Sequence, residues 1–339
     1  MEIQEKMSQQ VNRKKLLGDL GFLQSGLSRK GLVEQMLYLL FTGSTLKTYN
    51  GNLSVVCPFE SKFEGMVRLG ELHSIVGDLT EDEVSLAAKG GELLITTEST
   101  KAGLRFREGE FEAPTFDFEE WNPLPDRFVT GLMFCLFSAS RSVSQGVYTA
   151  VCIRKDYILS TDDYRVSAYH LDAAIGEQDI LIPVLSALEL IKFPVIEYCE
   201  QFGWVHFRTE SGVVVSCRTM LGDFPDCLSC LEVDGFRMRL PKRLGEVMSS
   251  VSSFAPGDLD LDKEVEVRIA DGKLVCRGER ETSWLEKELI VKYNREPLKF
   301  TINPVFASQV LDKVVTMIVA DDRILFTATD FKHLVCLVL

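Results

Sequence analysis

Residues 182–191 read IPVLSALELI: a β-branched residue closing a strand, then a short amphipathic helix ending on a branched apolar pair. The same ten positions return twice without a gap, as VRLGELHSIV at 67–76 and INPVFASQVL at 302–311. From 67 to 182 is 115 residues, and from 182 to 302 is 120. Solenoid repeats run about 20–50 residues, so a period this long is that of a domain.

The flanks repeat as well. After each block comes a strand pair with a shared phrase, ITTES at 95–99, FRTES at 207–211 and FTATD at 326–330. Each phrase leads into a last apolar strand, at 102–106, 213–217 and 333–339. Before each block the pattern predicts a hairpin: 37–41 with 45–49 around Thr42-Gly43-Ser44, 148–154 with 157–161 around Lys155-Asp156, and 264–269 with 273–277 around Asp271-Gly272. Asp-Gly, and Asn50-Gly51 earlier in the chain, favour the tight two-residue turn between alternating strands. Each third also opens with a helix. In the third, Pro241 stands at the first helical position, with Leu244, Val247, Met248, Val251 and Phe254 on one face. Phe128, Leu132, Cys135, Leu136 and Ala139 form the stripe of the second, and Leu16, Leu20 and Leu23 that of the first.

The spacing therefore predicts an α+β chain of three like domains, 1–120, 121–233 and 234–339. The first boundary falls in an acidic linker with two prolines, 116–125. The second follows RTMLGDFPD at 218–226, in the connection 227–236. One large α/β domain with accidental internal similarity is the competing reading; three ordered matches of several elements weigh against it.

A chain of 339 residues, 46% hydrophobic and 26% charged, suits two or three soluble domains, each third being long enough to bury a core. No apolar run approaches the ~18 residues of a membrane span. The start, MEIQEKMSQQVNRKK, lacks a signal peptide's apolar region. Nine scattered cysteines then read as reduced thiols in a cytoplasm. The net charge of −13 argues against coating nucleic acid, unless the charge is unevenly placed. It is uneven: Arg13, Lys14, Lys15, Arg29, Lys30, Arg127, Arg141, Lys192, Lys242, Arg243 and Lys313 lie on or beside predicted helices. Acids crowd the connections at 108–120 and 258–266. Any one such base is an ordinary solvated side chain; the shared placement across repeats is what points to a polyanion.

No catalytic constellation is found. His73, His170, His206 and His333 share no spacing with a nucleophile or a metal partner, and His73 reads as a surface residue. Cys227-Leu228-Ser229-Cys230 is a lone CxxC, weak as a zinc or redox signal. No phosphate-binding glycine motif stands between a strand and a helix. Neither cofactor nor metal is expected, and an enzyme, such as a hydrolase with a site between repeats, has no residues to support it.

Three repeats, STDDYRVSAY at 160–169, ILIP at 180–183 and GDFPD at 222–226 together resemble the bacterial DNA polymerase III β subunit, the sliding clamp. The resemblance spans about 16–339, with its most specific motifs in the second repeat. The family has Gly and His where Asp163 and Tyr164 stand, and a Met-Pro type ending where Val335, Cys336 and Leu337 stand. Such divergence is similar to that of a phage or mobile-element clamp.

The resemblance implies two helices packed on antiparallel sheets in each domain, and half of a closed ring in each chain. A head-to-tail homodimer would surround duplex DNA without reading its sequence. Arg29, Lys30, Arg141 and Lys192 are the expected DNA contacts. Polymerase and clamp loader would dock by short peptides on Tyr148, Thr161, Asp163, Tyr164, Arg165, Val166, Val335, Cys336 and Leu337. The alternative is that Val335 to Leu339 merely complete a sheet core. Phe254 is placed either at ring closure or in the core. A monomeric clamp-fold scaffold that binds only proteins is the alternative function. A trimeric ring is disfavoured, because six domains would close it as a dimer.

Overall fold

The computed structural model describes residues 8–28, 34–109, 111, 113–118 and 120–338. Among them are six α-helices, two in each third of the chain: α1 (Arg13–Leu23), α2 (Leu69–Asp78), α3 (Phe128–Cys135), α4 (Val184–Leu190), α5 (Leu244–Ser252) and α6 (Pro304–Ser308). The repeated blocks start α2, α4 and α6 directly from strands, Glu64–Arg68, Arg165–Pro183 and Leu298–Ile302. Val76, Leu190 and Val310, near the block ends, are buried. Asparagine starts two of the helices. The Asn12 side chain accepts from Lys15 N at 3.0 Å, and Asn303 accepts from Val305 N and Phe306 N at 2.9 and 3.2 Å, relieving backbone N–H groups that the first turn leaves unpaired.

The chain divides into two compact units. The first comprises Met1–Val129 and Leu185–Met220. Its eight-stranded antiparallel sheet runs in the order Glu64–Arg68, Tyr38–Thr42, Thr45–Tyr49, Leu53–Pro58, Val214–Arg218, Trp204–Thr209, Val195–Gln201, Asn122–Pro123. The central joint sets Val56 opposite Val214. A four-stranded sheet, Ser8–Asn12, Glu83–Lys89, Glu92–Thr96 and Lys101–Arg105, completes the unit, and α1 packs against α2. Leu16, Leu20 and Leu23 of α1 are buried, as the sequence predicts.

The second unit comprises Thr130–Val184 and Leu221–Leu339. Its six-stranded sheet runs Ala150–Thr161, Arg165–Pro183, Phe331–Cys336, Arg323–Thr327, Thr316–Val319, Phe236–Arg239. Its four-stranded sheet runs Ser283–Ile290, Lys273–Arg280, Val265–Ala270, Leu298–Ile302. Val166 faces Leu334 across the ladder. Helix α5 packs on α6. The Asp271-Gly272 turn has both residues at positive φ, 51° and 74°, as a two-residue hairpin of that sequence requires.

Four expectations are corrected. Lys155-Asp156 is not a hairpin turn but an irregularity inside one twelve-residue strand, Ala150–Thr161. Lys155 sits at φ 52°, yet Ile153 and Tyr157 pair with the same partner strand, at Ile180 and His170. A polar break between apolar runs fits a strand irregularity as well as a reversal; the long-range pairing selects the irregularity, with the extra residues on the partner strand between His170 and Ile180. The reversal falls after Thr161. Tyr148 precedes the strand, in the 3₁₀ stretch Val143–Thr149. The linker is not free of the sheet: Asn122 and Pro123 pair with Tyr198 and Glu197. Helix α5 begins at Leu244; Pro241 lies in the preceding turn, its carbonyl accepting from Leu244 N. Phe254 follows that helix and is half-buried.

Candidate functional site

The tight turn after Thr161 is built from its own side chains. Thr161 Oγ1 accepts from Asp163 N (3.2 Å) and donates to Arg165 O (2.8 Å), and Asp162 Oδ1 accepts from Tyr164 N (3.3 Å). The backbone closes with Asp163 at φ 82°, a conformation that glycine adopts most easily. This accounts for the place of glycine in the sequence pattern that the chain resembles. Here the aspartate's carboxylate stands close to the Tyr148 hydroxyl. That negative charge, more than burial, holds the Tyr148 phenol above its ordinary pKa.

Arg165 fastens the turn to the rest of its unit. Its Nε donates to Asp162 Oδ2 at 2.8 Å and its Nη2 to Phe137 O at 2.7 Å, while Nη1 reaches Gln309 Oε1. The guanidinium lies 4.1 Å from the Phe306 ring centroid. Burial pushes Asp162 above the usual carboxylate value, and Arg165 pulls it back. Below the turn, a buried chain of hydrogen bonds runs from Ser138 Oγ to Ser167 Oγ (2.6 Å) and on to His333 Nδ1 (2.8 Å).

The nine residues expected to hold a peptide thus fall into two groups. Thr161, Arg165, Val166 and Val335 are buried, and Val335 completes a sheet core. Tyr148 and Leu337 are half-buried, and Asp163, Tyr164 and Cys336 are exposed. Tyr164 O accepts from Cys336 N at 2.9 Å, which brings the turn beside the last strand. Two apolar residues that the sequence analysis did not single out join this surface. Val143 is 94% exposed and Leu221 93% exposed. They lie on segments that touch, since a Cβ added to Gly222 would stand 2.7 Å from Val147. No local pattern marks either residue; only the fold sets 143–148 beside 221–222.

The expected DNA contacts are less gathered. Arg29 and Lys30 lie outside the described residues. Arg141 is exposed and has no ion-pair partner among the described residues. Lys192 follows α4, exposed, with its Nζ 2.5 Å from Glu189. Other helix-end bases are likewise partnered: Lys14 with Asp82 at 3.2 Å and Arg243 with Glu246 at 3.0 Å. Cys227 of the CxxC is buried, which pushes its thiol up to about 12. Among the described residues, no three His, Cys, Asp or Glu are placed to hold a metal, and no helix is long and apolar enough to cross a membrane.

No family model and no curated protein matches the sequence. Solved structures do. The DnaN sliding clamp (DNA polymerase III subunit beta) of Pseudomonas aeruginosa bound to griselimycin superposes with a TM-score of 0.87 at 16% identity, covering 98% of this chain and all of that one. The beta chain of DNA polymerase III from Streptococcus pneumoniae gives 0.86 at 16%, and the beta subunit from the DNA polymerase of Streptococcus pyogenes 0.85 at 17%. Both cover 98% of this chain and 99% of theirs. This chain has the sliding-clamp fold. With identities this low the likeness is one of fold, and the clamp's architecture here stands on a sequence far from those of the solved clamps.

Proposed function

We propose that this protein is a DNA sliding clamp: a non-enzymatic processivity factor that closes head to tail with a second copy around duplex DNA. Residues 1–120, 121–233 and 234–339 act as three clamp modules, joined by the ladders that set Val56 opposite Val214 and Val166 opposite Leu334. Closure needs an open strand edge at each end of the chain. Lys101–Arg105 ends the four-stranded sheet of the first unit, and Ser283–Ile290 ends that of the second. The first edge is basic, with Lys101 and Arg105 exposed; the second carries Glu286 and Glu288 and leaves Trp284 58% exposed. Glu286 and Glu288 are ion-paired within their own sheet, with Arg268 and Lys273, so pairing these edges between copies acts chiefly by joining the strands and covering the Trp284 ring.

Arg141 and Lys192, with Arg29 and Lys30, are the proposed phosphate contacts. They are few and water-screened, so topology and not affinity retains the duplex. The surface around Tyr148, Tyr164 and Leu337 docks polymerase and clamp loader through short peptides. The observation that carries the proposal is the fold match over 98% of the chain. Its test is light scattering, expected to give twice the 38.1 kDa chain mass, with retention on closed circular DNA that is lost on linearisation. A monomeric protein-binding scaffold is the second reading, favoured by the pairing of Lys14, Lys192 and Arg243 with acids. A single-chain mass and equal release from circular and linear DNA select it.

A further inference from the structure

We infer that the peptide docked at this surface carries basic residues beside its apolar anchors. The inference rests on the docking reading above and concerns the chemistry of the partner. Exposed Tyr164, Val143 and Leu221 offer apolar contact of the kind that accepts leucine and aromatic side chains. The charges around them do not balance. Asp163, Asp223 and Asp226 are all exposed, and none has an ion-pair partner among the described residues.

The nearby arginines cannot neutralise them, because each is already committed. Arg165 is bound to Asp162, Arg323 to Asp322 at 2.6 Å, and Arg154 to Asp179, with further bonds to Phe224 O and Pro225 O at 2.9 and 3.2 Å. Against the three carboxylates stand Arg141, exposed beside the loop that the Ser140–Tyr148 backbone bond closes, and Arg218, exposed five residues before Asp223, so the carboxylates remain in excess among these residues. The position of Asp163 adds an independent argument. It holds a left-handed backbone that glycine would adopt more easily, so a carboxylate stands where the local conformation does not call for one. The Tyr148 hydroxyl stands near that carboxylate. A cationic side chain arriving there meets an exposed carboxylate, and Asp223 and Asp226 lie on the GDFPD segment that begins beside Val147.

The test uses the full chain and three labelled synthetic peptides that share one leucine- and phenylalanine-bearing core, flanked by two lysines, two glutamines or two glutamates. Anisotropy at low salt is expected to show the lysine peptide binding about tenfold more tightly than the glutamate peptide, a gap that falls below about twofold near 0.5 M salt. Asp163→Asn with Asp223→Asn is expected to shrink the low-salt gap to about threefold or less without changing the circular dichroism. Equal affinity of all three peptides, with binding still lost in Tyr164→Ala/Leu337→Ala, overturns the basic preference and keeps the docking site. Binding indifferent to Tyr164→Ala/Leu337→Ala, or no binding of any peptide at about 100 μM, overturns the docking reading as well.

Discussion

Arg165→Met is expected to loosen the whole second unit, because the guanidinium is the only ion-pair partner of a buried carboxylate among the described residues. The substitution leaves Asp162 buried and charged, and it orphans the Phe137 carbonyl and Gln309 Oε1. Methionine retains part of the contact with Phe306, so the apolar loss is small. Removing one partner of a buried pair costs about 3–5 kcal/mol, whereas replacing both can be neutral. Peptide-resolved hydrogen exchange reads this directly in the strands Arg165–Pro183 and Phe331–Cys336. Their slowest amides should speed up by about 100-fold to several thousand-fold, at about 1.4 kcal/mol per decade. Asp162→Asn with Arg165→Met should recover much of the loss, since asparagine can still accept from Tyr164 N. A single-mutant change below about fivefold, or a double mutant as unstable as the single, refutes the assignment of Arg165 as the frame of the turn.

Four further outcomes are expected. Burial holds His206 neutral with a pKa of about 4 against an ordinary 6.5, so stability is complete above pH 6.5 and falls as pH drops toward 4, by about 3 kcal/mol; urea titrations across that range check it, and His206→Gln should flatten the slope. Phe202 is 89% exposed at φ 49° before Gly203 at φ 77°, so Phe202→Asn should stabilise the hairpin by about 0.5–1 kcal/mol, and a lower urea midpoint would show instead that the ring is packed. If the proposed dimer forms, Lys101→Glu with Arg105→Glu should convert it to a monomer in light scattering while leaving the circular dichroism intact; an unchanged dimer mass removes this edge from ring closure. Tyr164→Ala with Leu337→Ala should weaken peptide binding about tenfold or more at unchanged dimer mass.

Much of the fold was legible because its signals are local. The ten-residue blocks start the second helix of each pair, the stripes of α1 and α3 and that of α5 as far as Val251 are buried, and Asp271-Gly272 turns as a hairpin. Periodicity and turn chemistry act over a few residues and survive in a single sequence. The site was legible in part. The phrase Thr161-Asp162-Asp163-Tyr164-Arg165 marked the turn, but no pattern separated Tyr164, which reaches solvent, from Arg165, which does not.

What the tertiary structure decided is long-range. Lys155 lies within one strand and is not a reversal because its neighbours on both sides pair with 165–183. The sheets run across the sequence thirds because Val56 meets Val214 and Val166 meets Leu334. His206 is neutral because Phe116 and Phe118, from the supposed linker, lie 4.2 and 4.9 Å from its ring. Val143 and Leu221 share a surface only because separate loops are packed together. Strand register, burial and the charge state of a buried group depend on which distant segments exclude water from one another, and a sequence without its partners in space carries no such information.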